Sequence, residues 1–243
     1  ESGSDPGWPA RPGRRLGRVS VITLPLFPLG TVLFPGARLP LHIFERRYRT
    51  LIADILARTD RFAEFGVVAI RAGLEVGEHG VESLYPVGCT AAVQRVQPFT
   101  DGSFDILTVG ARRFAIRGVH PPMPDTADEA EIEFLAEAPS ARSDDLARTA
   151  ARTFHRYRRA LLEAQGLDAD GPFTLPTDPV DCSYAIAATM VLDLTDRQRL
   201  LQAATVDDRL TLALELLRRE IAMVGQMSLR AGEELSRGTY SPN

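Results

Sequence analysis

The stretch Leu24–Leu56, LPLFPLGTVLFPGARLPLHIFERRYRTLIADIL, restricts the folds open to this chain more than any other. Pro25, Pro28, Pro35 and Pro40 interrupt two apolar runs. Each proline fixes φ and removes a backbone donor, so the runs suit short or edge strands rather than one long central strand. Gly30 and Gly36 allow tight turns between them. From His42 onward the apolar period changes. Ile43, Tyr48, Leu51, Ile52, Ile55 and Leu56 recur at helical spacing, which predicts a helix from Phe44 to Arg58. A β-rich beginning therefore feeds directly into an amphipathic helix.

The pattern then stays mostly β to about Glu137. Phe65–Ile70 reads as a buried strand, and Gly73–Ser83 as an exposed loop. Val87–Val96 reads as a strand with Gly88 at a bulge or a close approach. Thr100-Asp101-Gly102-Ser103 has the residues of a hairpin turn. Phe104, Ile106 and Thr108 alternate beyond it, and Phe114 and Ile116 alternate against Arg113 and Arg117. The proline-rich stretch His120–Asp128 suits a loop, and Glu131–Glu137 a last strand. Several short strands with frequent turns predict a small barrel or rolled sheet.

From Ser140 the pattern is helical. Ser143 is placed to cap a helix over Asp144–Gln165, with Leu146, Ala150, Phe154, Tyr157 and Leu161 as its apolar stripe and Gly166 as its stop. After a linker, Asp178 and Pro179 form an N-cap and first-turn pair for a helix to about Val191. Thr195 with Gln198 has capping-box spacing, and Thr205 with Asp208 resembles another start. Leu210, Leu214, Leu217, Ile221 and Val224 then define one long helix. The expected organisation is α+β: a β-rich subdomain at 21–138 and a helical bundle at 139–230, with flexible tails at 1–20 and 231–243.

Composition narrows the functions. At 243 residues the chain is long enough for a substantial core. A net charge of -4 supplies no basic field, which disfavours nucleic acid and gives no reason to expect a membrane surface. No apolar run reaches the length of a membrane span. Cys89 and Cys182, far apart, suit a reduced, cytoplasmic protein. All 28 basic side chains are arginine, so the chain holds no Walker A lysine, Schiff-base lysine or Ser–Lys pair. His42, His79, His120 and His155 lack metal-ligand spacing, and no G-x-S-x-G elbow occurs. The reading assigns no catalytic residue, no cofactor and no metal.

Two segments carry a family resemblance. Leu24–Leu56 resembles the start of the Lon protease substrate-binding domain. LDLTDRQRLLQAATVDDRLTLALELLRRE, Leu192–Glu220, resembles its end, with Asp196, Gln198, Leu200 and Leu201 in a short helix and Asp208, Arg209 and Leu210 opening the long one. With the Asp101-Gly102 hairpin, the resemblance covers roughly residues 21 to 229. It implies a PUA-like β subdomain, a helical bundle and non-catalytic polypeptide binding, as in an adaptor or quality-control factor. Its implied partners are unfolded or extended polypeptides and a separate protease. In full-length Lon an ATPase and a peptidase follow the long helix. Here the sequence stops at Asn243 without a P-loop, and Met190-Val191-Leu192 stands where the protease form typically carries Leu-Pro, so the expectation is a stand-alone member.

The candidate recognition residues are Phe34, Phe44, Glu45, Arg46 and Arg49. Aromatic and arginine side chains at a helix start suit protein contacts. The alternative is a solvated helix face with a Glu45–Arg49 pair. Phe27 is equally a contact or core. The stripe of the last helix is bundle core, or a dimer seam if an apolar face stays exposed. Two further functions stay open. One is RNA binding by analogy with PUA folds through Arg112, Arg113 and Arg117. The other is a hydrolase using Cys89 or Cys182.

Overall fold

The computed structural model describes residues 21–57, 64–73, 81–120, 125–169, 171 and 173–237. The expected tail at 1–20, most of the Gly73–Ser83 loop, the prolines at 121, 122 and 124, and residues 238–243 lie outside the described residues. The elements are β1 Ile22–Leu29, β2 Arg38–Ile43, α1 Arg46–Ala57, β3 Glu64–Gly73, β4 Val81–Leu84, β5 Val87–Pro98, β6 Phe104–His120 and β7 Glu129–Phe134. The helices α2 Ser143–Ala164, α3 Pro179–Thr189, α4 Leu194–Gln202 and α5 Val206–Arg237 follow.

The strands form one seven-stranded sheet in the order β1-β7-β6-β5-β3-β4, with β2 paired to β6. A parallel β1–β3 pairing closes the path into a small barrel. The prolines explain how β1 closes it. β7 pairs with Ile22–Pro25 and β3 with Leu26–Leu29, so each half of β1 has one ladder among the described residues. A missing N–H at Pro25 or Pro28 is tolerable under that arrangement. Pro40 lies in β2, which pairs only with β6 among the described residues.

β6 is a single strand of 17 residues. It carries β5 along one side, and β2 and then β7 along the other. The turn before it is made by Gly102, whose φ of 80° lies in the left-handed region. Gly88 marks a close approach, since a Cβ there would sit 2.5 Å from both Phe114 Cζ and the Val67 carbonyl oxygen. Among the described residues the barrel and α1 hold two buried clusters. Phe27, Leu29, Phe65, Val67 and Cys89 pack with Tyr48, Leu51, Ile52 and Ile55 of α1. Leu26, Val68, Phe114, Ala130 and Ile132 fill the other. Neighbours Leu26 and Phe27 thus enter different clusters, as the strand period of two requires.

The chain divides into two compact units. The first runs to Glu137 and also takes in Ala187–Ala203; the second holds Ala138–Ile186 and the chain from Ala204. This corrects the expectation that everything after 138 belongs to the helical half. Side-chain to backbone bonds place α4 with the strands: Gln198 Nε2 donates to the Val87 carbonyl at 2.9 Å, and Arg197 to that of Val32 at 3.1 Å.

In the second unit α2 packs on α5. Ala147, Ala150, Phe154 and Tyr157 are buried on α2, and Leu210, Ala213, Leu214 and Leu217 on α5. Ala147 takes the buried place expected for Leu146, which is half-exposed. Two caps also differ. Ser143 lies inside α2 and bonds Asp207 instead of capping the helix. Asp193, not Thr195, caps α4 by accepting from the Asp196 N–H at 2.8 Å. The Thr205–Asp208 start of α5 forms as expected: Thr205 Oγ1 accepts from the Asp208 N–H and Asp208 Oδ2 from the Thr205 N–H.

Candidate functional site

The expected recognition residues separate at the start of α1. Phe34 is fully buried, and the Arg197 guanidinium lies 5.3 Å from its ring centroid. It therefore belongs to the interior and leaves the proposed rim. Phe27 is core as well, stacked on Tyr48 at 3.9 Å between ring centroids. Phe44 is exposed, at 54%. Glu45 pairs with Arg47 at 3.0 Å rather than with Arg49, and its carbonyl accepts the first α1 amides from Tyr48 and Arg49. Arg46 reaches Asp125 at 3.5 Å across exposed surface. The Arg49 guanidinium lies against Gly102, where any Cβ would overlap it. Its charge adds to the hydrogen bonds from Ser103 that hold the Asp101 carboxyl below the usual carboxylate range.

Around Phe44 the sheet adds residues that the sequence pattern did not nominate. The His42 ring stacks 6.1 Å from Phe44 and meets exposed Phe99 edge-on at 6.1 Å. His42 Nδ1 lies 2.7 Å from Asp105 Oδ1, its cross-strand partner in the β2–β6 register. The patch therefore joins the end of β2 to the Asp101-Gly102 hairpin. The only signal for it in the sequence is the hairpin itself, which sets Phe99 opposite Ser103 but says nothing of β2.

On the other side of α1 lies a groove of about 900 Å³. Its apolar lining is Ile22, Leu24, Leu51, Ile55, Ala127 and Phe134, contributed by β1, α1, the approach to β7 and β7. Five charged side chains edge it: Arg47, Asp54, Glu64, Arg112 and Glu129. Both arginines are engaged. Arg47 pairs with Glu45 and lies over Tyr48, while the Arg112 guanidinium covers the Phe134 ring at 3.6 Å. No sequence signal marked this groove, because its walls are separated by tens of residues along the chain.

The remaining candidates resolve into structural roles. Arg113 is buried and ion-paired with Glu137, and Arg117 pairs with Glu133. With Arg112 on Phe134, the three arginines expected to present an RNA patch are each engaged locally. Burial pushes the Cys89 thiol far up. Burial, helped by the charge of Asp178, raises Cys182 to about 11. Neither is poised as a thiolate nucleophile. Among the described residues no three His, Cys, Asp or Glu side chains converge as metal ligands, and no helix is long and apolar enough to cross a membrane. His79 lies outside the described residues.

Comparison with known proteins follows the same geometry. The family model of the ATP-dependent protease La (LON) substrate-binding domain matches residues 23–219. Lon protease 2 of Herpetosiphon aurantiacus is 27% identical over 210 residues, which cover 85% of this chain and 25% of that protein. Lon protease of Escherichia coli is 24% identical over 212 residues, covering 84% of this chain and 25% of that protein. The chain thus spans about a quarter of the length of these relatives. The crystal structure of the Lon N-terminal domain protein from Xanthomonas campestris superposes with a TM-score of 0.56 at 24% identity, over 80% of this chain and 98% of that one. The N-terminal domain of Mycobacterium avium complex Lon protease gives 0.61 at 16% identity, over 81% and 98%. These two likenesses concern the fold. The strand-built first unit, the capped helices and the family match over most of the sequence lead to one assignment: the chain belongs to the Lon substrate-binding domain family.

Proposed function

We propose that this chain is a non-catalytic polypeptide-binding module that takes unfolded or extended segments of other proteins, in an adaptor or quality-control role beside a separate protease. The observation that carries the reading is the apolar-floored groove between α1 and the β1/β7 side of the barrel. Its volume and its mixed lining fit an extended segment, with apolar side chains entering and polar groups fixing orientation. Phe44, Glu45, Arg46 and Arg49 form an outer rim that contacts longer segments, together with Phe99 and His42. The absence of lysine from the sequence supports the non-catalytic part, since the Ser–Lys chemistry of a Lon peptidase has no base in these residues.

The test is a fluorescence-anisotropy titration of the chain with a labelled, reduced and alkylated model protein at low and at physiological salt. Ile22 is a groove residue with 38% exposure, so it can be changed without opening the core. Ile22→Asp is expected to weaken binding by about tenfold, the scale of one well-placed apolar contact. Lack of binding by the unaltered chain at both salt concentrations would remove the reading.

A further inference from the structure

We propose that the groove selects an extended apolar segment carrying a basic side chain, and that Asp54, Glu64 and Glu129 make the selection. The inference rests on the polypeptide-binding reading and adds a substrate class to it. Three carboxylates edge a groove whose floor is apolar, while neither of its two arginines faces a ligand uncommitted. Arg47 is neutralised by Glu45 at 3.0 Å, and Arg112, held flat on Phe134, keeps its charge, so three carboxylates face one uncompensated guanidinium. Asp54, Glu64 and Glu129 have no ion pair or side-chain hydrogen bond among the described residues. The groove is therefore net acidic beside a low-dielectric wall, a setting that concentrates the field on an incoming cation.

The chemistry of a lysine or arginine side chain matches both features. Its methylene stem covers apolar surface while its charged head reaches the edge. Leu51 and Ile55 would meet the stem, and Asp54, on the same helix face of α1, would meet the head. An acidic side chain in that place would face three like charges against the single guanidinium of Arg112, and a neutral one would gain nothing from them. Charge complementarity of this kind sets specificity more than raw affinity.

The experiment uses the full chain and three fluorescein-labelled peptides with identical apolar flanks and a central Arg, Gln or Glu. At low salt the Arg peptide is expected to bind about three- to tenfold more tightly than the Gln peptide, as several partly exposed charge contacts would give. The Glu peptide should be the weakest. The Arg/Gln ratio should shrink in about 0.5 M salt, where the screening length falls to a few ångströms. In the double variant Asp54→Asn, Glu129→Gln the ratio should approach one, and Asp54→Arg should shift preference toward the Glu peptide; circular dichroism checks that each variant is folded. Equal affinity for the Arg and Gln peptides, or an unchanged ratio in the double variant, would overturn the charge selection alone. Failure of all three peptides to bind would overturn it together with the polypeptide-binding reading.

Discussion

Arg113 shows how one residue ties distant parts of the first unit. Its side chain is 1% exposed and meets Glu137 at 2.5 Å. The same guanidinium donates to the carbonyls of Leu201 at 2.6 Å and Ala203 at 2.7 Å, at the end of α4. Strand alternation set Arg113 opposite Phe114 and suggested an outward arginine, yet both are buried. One face of β6 packs apolar groups, and on the other Arg113 donates to backbone carbonyls at the end of α4 and to the Glu137 carboxylate. Alternation reports which residues share a face but not what covers that face. Removing the carboxylate would leave a buried guanidinium without its counter-charge. Glu137→Ala is therefore expected to lower stability by about 3 kcal/mol in urea unfolding, and Glu137→Gln by less, because an amide oxygen still accepts. Equal midpoints for Glu137→Ala and the unaltered chain would show that the pair contributes nothing. Phe34 carries a similar lesson: expected among the recognition residues, it is buried, and the Arg197 guanidinium, from far along the chain, lies 5.3 Å from its ring.

At the scale of elements, the helices were the most legible part. The Thr205–Asp208 box and the leucines of α5 lie within a few residues of one another, so local rules suffice to place them. The link between α5 and the start of α2 was not legible. Asp207 Oδ2 accepts from Ser140 Oγ at 2.6 Å and Oδ1 from Ser143 Oγ at 2.5 Å, which is why Ser143 is not free to cap its own helix. These two hydroxyls hold the Asp207 carboxyl below its ordinary value of 3.8. A carboxyl depressed by folding stabilises the native state fully above its unfolded value and loses that contribution as pH falls through the folded one. Thermal melts should therefore show an Asp207-dependent contribution that is constant above about pH 5 and declines below about pH 4. Asp207→Asn should be less stable near neutrality and should show a shallower acid decline. An unchanged acid slope in Asp207→Asn would count against the linkage.

For the whole molecule, the two thiols offer one internal reporter per unit. Cys89 is buried in the first unit and Cys182 in the second. Burial raises both thiols, Cys182 to about 11, so neither reacts as a thiolate near neutral pH while its surroundings stay closed. In Cys182→Ala and Cys89→Ala chains, labelling by a thiol reagent at about pH 8 should be slow in buffer and should accelerate with urea, each reading the opening of its own unit. Fast labelling of either chain in buffer would contradict the burial. The sequence by itself determined the β-to-α order, the hairpin at Gly102, the capped start of α5 and the family, because periodicity, φ preference and capping act over a few residues. Only the tertiary structure decided that α4 belongs with the strands, that Phe34 is core, that Phe99 and His42 stand beside Phe44, and that three carboxylates edge one groove. Burial and charge proximity depend on side chains brought together from remote positions, and no spacing along the chain records that meeting.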